Sequence, residues 1–379
     1  MGLLDGVRVL DMSRVLAGPY CTALLADLGA DVVKVEPGSG DDSRHLGPFV
    51  DDESVYFAQL NRGKRSVALD LKDPDDLAFF RQLADRADVV VENFRPGVAA
   101  KLGVDHETLS ASSPGLVYAS ISGFGQDGPL SHLPAYDLVV QAMSGLMAAT
   151  GDPSAPPTRV GESLGDLCAG MFASWAICAA LFARQRSGEG QHLDVAMLDS
   201  LVSLQVTAMS LLTADGRLPG RIGNRHPVST PFDTYRAADG LIAVAVANDT
   251  AFERLAAMLG RPELAEDERF ATDSARTGNR ELLRQVIEDW TGAREVSAVL
   301  AAARSAGVAA GPVCDLAEAL DSDQIKDRGL VGELDHPDLG ALRYLRQPVR
   351  LQDRGTGARP GTPVLGEHRD AVRQEWLAE

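Results

Sequence analysis

The sequence is short of positive charge, of cysteine and of long hydrophobic runs, and each shortage excludes something. Its 379 residues carry 36 Lys and Arg against 54 Asp and Glu, a formal charge of −18. Such a surface repels nucleic acid and anionic membranes, so neither is expected as a partner. The four cysteines, Cys21, Cys168, Cys178 and Cys314, lie far apart or within an apolar run. No metal-type spacing links them, so no metal is expected and buried thiols are the default. The longest apolar run, residues 167–182, falls short of the roughly 20 residues a membrane span needs and reads as a buried helix. The first residues lack a basic segment followed by an apolar one, which sets a cytoplasmic expectation. Internal repeats and low-complexity tracts are absent as well.

What is present is an alternation. Residues 7–10, 31–35, 66–71, 89–91 and 116–122 read as short apolar strands, with helices at 17–28 and 75–87. That spacing predicts an α/β fold with a parallel sheet covered by helices on both faces. Residues 136–149, 167–184 and 193–209 read as helices. The character changes near 215–220. A hairpin is predicted over 234–246, turning at Ala238-Asp-Gly240. Helices follow at 251–259, 280–290 and 295–306, then a short extended piece at 307–313. The expected division is a large domain from 1–210 and 335–379, a small α/β domain at 225–330, and linkers at 211–224 and 331–334.

One carboxylate stands out. Gly165-Asp166 sits at the mouth of the apolar run, between small residues. Asp166 reads either as an N-cap, accepting from the first free N–H groups of the helix, or as a nucleophile held ionised by those same groups, with glycines admitting a substrate carbonyl. The two readings are compatible. Gly123-Phe-Gly-Gln-Asp-Gly128 fits a dinucleotide fingerprint, but Pro129 and Pro134 follow and the next helix starts only near Tyr136. A glycine-rich active-site loop or plain turn is therefore expected there. Against the acidic background, Arg14, Lys34, Arg62, Lys64, Arg65, Arg95 and Lys101 cluster in or after the first strands, where α/β folds bind anions.

Several stretches resemble the class III CoA-transferases, the family of formyl-CoA transferase, carnitine CoA-transferase and the α-methylacyl-CoA racemases. They are Asp11-Met-Ser-Arg-Val-Leu-Ala-Gly-Pro-Tyr20, Gly29-Ala-Asp-Val-Val-Lys-Val-Glu36, Asn61-Arg-Gly-Lys-Arg65 and Glu92-Asn-Phe-Arg-Pro-Gly97. Gly188-Glu-Gly-Gln191, Gly223-Asn224, His226-Pro227 and the tail 363–368 extend the likeness along nearly the whole chain. The resemblance implies a Rossmann-like large domain completed by the C-terminal tail, a small domain, and a ring-like subunit in an interlocked homodimer. It implies a coenzyme A thioester and a small carboxylic acid as substrates, with no tightly bound cofactor. Asp166 becomes the nucleophile. CoA is placed against Arg14, Val15, Ala17, Lys34, Lys64, Asn93, Phe94 and Lys101, with Lys64 and Lys101 on phosphate and Phe94 either at the adenine or in the core. Gly165, Gly123 and Gly125 become candidates for holding the oxyanion. Tyr136 either positions substrate or is a helix residue with a satisfied hydroxyl.

The departures narrow the reading. Racemases of the family pair their aspartate with a histidine thirty positions upstream, where this chain has Tyr136, a poor base at neutral pH. His132 is off that position. Leu16 stands where formyl-CoA transferase has its oxalate-directed glutamine, and the glycine-quartet loop of that enzyme is missing. The expectation is a CoA-transferase, with succinyl-CoA as a donor by family habit. A racemase, and a non-catalytic CoA- or nucleotide-binding protein, are the alternatives.

Overall fold

The computed structural model describes residues 2–218, 220–336, 340–351 and 361–378. Residues 1, 219, 337–339, 352–360 and 379, which the expected domains and linkers include, lie outside the described residues. The chain divides into two compact units. One is formed by Met1–Leu146, Arg159–Val206 and Asp323–Glu379, the other by Met147–Thr158 and Thr207–Ser322.

The first unit is built on six strands: β1 (Arg8–Asp11), β2 (Asp31–Glu36), β3 (Arg65–Ala68), β4 (Val89–Glu92), β5 (Val117–Ser122) and β6 (Gln191–Ala196). All neighbours pair in parallel. Their order across the sheet is 3-2-1-4-5-6, the doubly wound arrangement. Alternate residues of each strand serve opposite cores. Val9, Val32, Val89, Val91 and Val117 face one layer, and Leu10, Val33, Val67, Val90 and Tyr118 the other. Burial on both faces explains why these strands read as near-continuous apolar runs.

Helices α1 (Ala17–Asp27), α2 (Val55–Asn61), α3 (Pro74–Ala84), α4 (Asp137–Met143), α5 (Leu164–Ser187) and α6 (Met197–Ser203) follow in this unit. Local chemistry sets their ends. In α3 the Asp73 carboxylate accepts from the Asp75 and Asp76 N–H groups, and Pro74 occupies the first helical position. Helices α1 and α5 lie against one another, touching at Gly170, where a Cβ would sit 2.6 Å from the Ala17 carbonyl oxygen. The C-terminal helix, Arg369–Leu377, covers the other face. Trp376 Nε1 donates to Asp31 Oδ2 at 2.8 Å, and Glu375 pairs with Arg65.

Two expectations are corrected here. Residues 191–196 form the sixth strand rather than opening a helix. Their alternation of Leu193 and Val195 with His192 and Asp194 has the two-residue period of a half-exposed edge strand. The expected helix over 136–149 is broken after Met143, because Gly145 takes φ 89° and a second short helix begins at Leu146.

The second unit has a three-stranded antiparallel sheet of β7 (Phe232–Arg236), β8 (Leu241–Ala245) and β9 (Ala309–Pro312). Helices α7 (Asp249–Met258), α8 (Arg280–Thr291) and α9 (Val296–Ala306) pack on it around Tyr235, Ile242, Phe252, Leu283, Ile287 and Val299. The hairpin predicted over 234–246 is present, with β7 and β8 as its arms.

Candidate active site

A cavity of about 260 Å³ opens at the carboxyl ends of β1, β4 and β5. Because β1 and β4 are neighbours from which the chain winds outward in opposite directions, this is the switch point of the sheet, where doubly wound folds take ligands. Three loops supply the wall. The loop after β1 brings Arg14, Val15, Leu16 and Ala17. The loop after β4 brings Asn93, Phe94, Arg95 and Pro96. The loop after β5 brings Gly123, Ser131, Leu133, Pro134, Ala135 and Tyr136. Asp42, Ile121, Ser122, Asp166 and Met197 complete it.

Asp166 therefore reaches the cavity, but it is not the cap of its helix. It is the third residue of α5, the N-cap is Ser163, and Ser163 makes no side-chain cap bond. The missing acceptor comes from α4: Asp137 Oδ1 accepts the Gly165 N–H at 2.8 Å, and Gln141 Nε2 donates to Asp137 Oδ2 at 2.7 Å. Nor is Asp166 held firmly ionised. Burial first, and the charge of Asp137 second, push its carboxyl up to about 7, against a backbone hydrogen bond from Ala17 that favours the carboxylate. A carboxyl with that balance is partly protonated near neutrality. Tyr56 of α2 feels the same charge. Burial, then Asp166, Glu162 and Asp41, raise its phenol to about 12, so it remains protonated.

The loop after β1 is under strain. Val15 has φ 67°, a left-handed conformation that a β-branched residue avoids at a cost of about 1–3 kcal/mol. Both sides of the turn are tied. The Arg14 N–H donates to Asn93 Oδ1 at 2.7 Å, and Asn93 Nδ2 donates to the Arg14 carbonyl at 2.7 Å. The Val15 N–H donates to Asp41 Oδ1 at 3.1 Å. Beneath lies a fully buried ionic cluster. Lys34 Nζ sits 2.7 Å from Asp41 Oδ2 and donates to the Ser13 carbonyl at 2.8 Å. Lys64 Nζ donates to Asp11 Oδ2, the Pro19 carbonyl and Asn61 Oδ1, each at 2.9 Å. Burial opposes the ionised form of Asp11 and Asp41; Lys64 and Lys34 with two hydroxyl donors outweigh it at Asp11, Lys34 with the Ser43 and Val15 N–H groups at Asp41, and both carboxyls fall below their ordinary value.

The structure sorts the residues expected from the sequence. Asp166, Arg14, Val15, Ala17, Asn93, Phe94, Gly123 and Tyr136 share the cavity wall. Phe94 is half-buried against the core, and the Arg14 guanidinium lies 5.7 Å from its ring centre, so it packs inward and faces the cavity at once. Tyr136 is 75% exposed. Lys34 and Lys64 are not on the wall, because Asp41, Asp11 and backbone carbonyls occupy their ammonium groups. Lys101 is exposed at the end of the short helix Val98–Leu102, also away from the wall. Gly165 presents no amide to the cavity. Its N–H is given to Asp137, and a Cβ there would lie 2.7 Å from Val140 Cγ2, so its smallness serves the packing of α5 on α4. The Gly125 N–H is likewise occupied, donating to Ser122 Oγ at 2.9 Å. No helix starts inside the Gly123–Gly128 loop; the next begins at Asp137, as the prolines implied.

Sequence reasoning missed Asp137, Asp41 and Met197. Asp137 carried a signal, an acidic residue in a first helical turn. The donor it serves lies 28 residues away on another helix, which no local pattern encodes. Arg95, noted only as part of a basic cluster, reaches the wall exposed.

Residues 4–369 match the family model described as CoA-transferase family III. The chain is 44% identical over 380 residues to the acetyl-CoA:oxalate CoA-transferase of Acetobacter aceti, covering 100% of this chain and 96% of that one. It is 40% identical over 380 residues to the succinate–glutarate CoA-transferase of Agrobacterium fabrum, covering 98% and 95%. Among solved structures, a CAIB/BAIF family protein from Brucella suis superimposes with a TM-score of 0.87 at 39% identity, covering 99% of each chain.

Proposed function

The chain belongs to CoA-transferase family III, and from that premise we propose that it moves CoA between a dicarboxylic acyl-CoA such as succinyl-CoA and a second carboxylic acid, with Asp166 as the covalent relay. The carrying observation is Asp166 itself: a carboxyl on the wall of a switch-point cavity, raised to about 7 by burial and by Asp137 against one backbone donor. The relatives' names support the substrate class, since oxalate, succinate and glutarate are all dicarboxylic acids.

The ionised Asp166 oxygen attacks the thioester carbonyl. The C–S bond breaks, CoA leaves as its thiolate, and an acyl-aspartyl anhydride remains. The thiolate attacks the aspartyl carbonyl of that anhydride and expels the donor acid as a carboxylate, leaving an aspartyl-CoA thioester. The acceptor carboxylate then attacks this thioester, forms a second anhydride and releases the thiolate. Attack of the thiolate on the acceptor's carbonyl gives the new acyl-CoA and restores Asp166. Each step exchanges one activated acyl bond for another, so no nucleotide hydrolysis is needed.

A carboxylate is a weak nucleophile, so placement and exclusion of water carry much of the rate. Raising Asp166 by burial helps, because a more basic carboxylate is a better nucleophile once ionised. Arg14 and Arg95 bring positive charge to the mouth of a cavity in an otherwise acidic chain, which suits a phosphate-bearing thioester. We assign Gly123 and Tyr136, both on the wall, to the acyl oxygen and the incoming acid. The subunit works as a homodimer in this reading. The racemase alternative gains no support, since no histidine is among the described residues that line the cavity.

Trapping tests the assignment. Acyl-CoA plus hydroxylamine is expected to convert Asp166 to a hydroxamate, read as a mass change on its peptide. Asp166→Ala is expected to lose the mass change and at least about a thousandfold in kcat, the scale on which removal of a covalent nucleophile is felt. Wild-type turnover in Asp166→Ala would overturn the mechanism.

A further inference from the structure

We propose that Asn93 is a positioning residue for Asp166: with the buried Lys34–Asp41 pair, its side-chain amide clamps the strained turn at Arg14–Val15 and so aims the Ala17 N–H at the nucleophile. This deepens the transferase reading above and rests on it.

Three successive residues of the loop are tied down. Lys34 Nζ holds the Ser13 carbonyl at 2.8 Å. Asn93 holds Arg14 by N–H and carbonyl together, both at 2.7 Å. Asp41 holds the Val15 N–H at 3.1 Å. Val15 is the residue that needs holding. At φ 67° a valine side chain is crowded by its own backbone, and a free loop would relax to negative φ. Leu16 follows as the N-cap of α1, with no side-chain cap bond, and Ala17 opens the helix. A relaxed Val15 therefore swings the peptides that lead directly into the Ala17 N–H. Ala17 lies beside Asp166: both are on the cavity wall, Gly170, one turn beyond Asp166, meets the Ala17 carbonyl, and the Ala17 N–H favours the Asp166 carboxylate.

The clamp is itself rigid. Asn93 follows the end of β4, and the next residue is anchored because the Phe94 N–H donates to Glu92 Oε2 at 2.7 Å. Asn93 has committed its carbonyl oxygen and one amide hydrogen to Arg14, so most of its hydrogen-bonding capacity faces the loop rather than the cavity. Its role in turnover then runs through Asp166. Without the Ala17 N–H, nothing offsets the burial and the Asp137 charge that favour the protonated acid. The charged and titratable groups around Asp166 are Asp137 on α4, Glu162 before α5, Tyr56 on α2, and Arg14, Asp42, Arg95 and Tyr136 on the wall. Of these only Arg14 is bonded to Asn93, and through its backbone, so its charged side chain is kept in the Asn93 variants.

The experiment is the pH dependence of kcat and of kcat/KM for acyl-CoA, in Asn93→Ala and in the smaller change Asn93→Ser, with thermal midpoints measured alongside. In each, the acid limb of kcat is expected to move up by about 0.5–1 pH unit and kcat at pH 7 to fall about tenfold, with KM for acyl-CoA changing less than about threefold. Adding Val15→Gly to Asn93→Ala is expected to recover part of the limb shift, because glycine occupies the left-handed region without a clamp. A rise in KM of tenfold or more with the limb unmoved would overturn the proposal and make Asn93 a direct contact of CoA. An unmoved limb and unchanged kcat would overturn it also. Asp166→Asn serves as the reference. If it keeps the wild-type rate, the transferase mechanism itself fails. If it is inactive while both Asn93 variants behave as wild type, only the positioning role fails.

Discussion

At the scale of single residues, the site depends on one carboxyl kept uncomfortable. Asp166 has burial and Asp137 against it and one backbone N–H in its favour. The consequence for stability has a definite sign. Unfolded, the group titrates at its ordinary 3.8; folded, it titrates at about 7. The unfolded chain therefore loses this proton first, and ionisation favours unfolding progressively as pH rises from 3.8 to about 7, beyond which the effect is constant. Asparagine cannot ionise. Asp166→Asn is expected to raise the thermal midpoint by a margin that grows between about pH 4 and 7 and then levels off, while activity is lost. Scanning calorimetry of both proteins across that range checks it, and a margin independent of pH would remove the case for a perturbed Asp166. The cost in stability and the nucleophile's basicity share one cause.

At the scale of elements, the critical contact is α1 against α5. It rests on a glycine of α5: a Cβ on Gly170 would sit 2.6 Å from the Ala17 carbonyl, just as one on Gly165 would strike Val140 where α5 meets α4. Gly170→Ala is expected to cost about 1–3 kcal/mol by overpacking and to lower kcat, because α1 must retreat and take the Ala17 N–H with it. Gly278→Ala is the control. It lies in a helix where a Cβ meets nothing within 4 Å, so it should leave both quantities nearly unchanged. Denaturant midpoints and kcat for the two variants decide it; equal effects would mean that the contact does not steer the site. The element scale also shows what the sequence reveals and conceals. Strands β1, β2, β4 and β5 are legible because burial on both faces leaves mainly apolar residues in each. The edge strand β6 is concealed because its exposed half alternates polar residues into a stretch that also suits a helix. Asp166, Arg14 and Tyr136 are legible as chemically unusual residues at element ends. The ties that make them a site, Asp137 on the Gly165 N–H and Asn93 on Arg14, join residues 28 and 79 positions apart. Lys34 and Lys64 mislead for the same reason. A lysine beside a strand looks free until its distant carboxylate is known.

At the scale of the whole molecule, α5 presents a problem that one chain does not solve. Its buried side, with Gly165, Ala169, Ala173 and Ile177, serves the sheet core. Its other side carries Met171, Trp175 and Phe182 at 45%, 70% and 62% exposure. Leu138, Val139 and Met143 on α4, and Val202 and Leu204 at the end of α6, add further exposed apolar side chains in the same unit. The helix is long and apolar enough to cross a membrane, but a stripe already committed to a protein core argues against that. Apolar surface of this extent is normally covered by protein, and a second copy is the simplest cover because a two-fold axis buries both patches together. We therefore expect a dimer at twice 40.2 kDa by light scattering. Trp175→Glu, which places a charge in the centre of the stripe, should give monomer or aggregate while leaving the cavity residues untouched. The interlocked arrangement that the family resemblance implies would add a kinetic signature, since threaded subunits separate only by partial unfolding. Mixed wild-type samples carrying two different tags should exchange subunits no faster than the protein unfolds, even after dilution to nanomolar concentration. Rapid exchange would leave the dimer standing and rule out the threading, and a monomeric wild type would remove both.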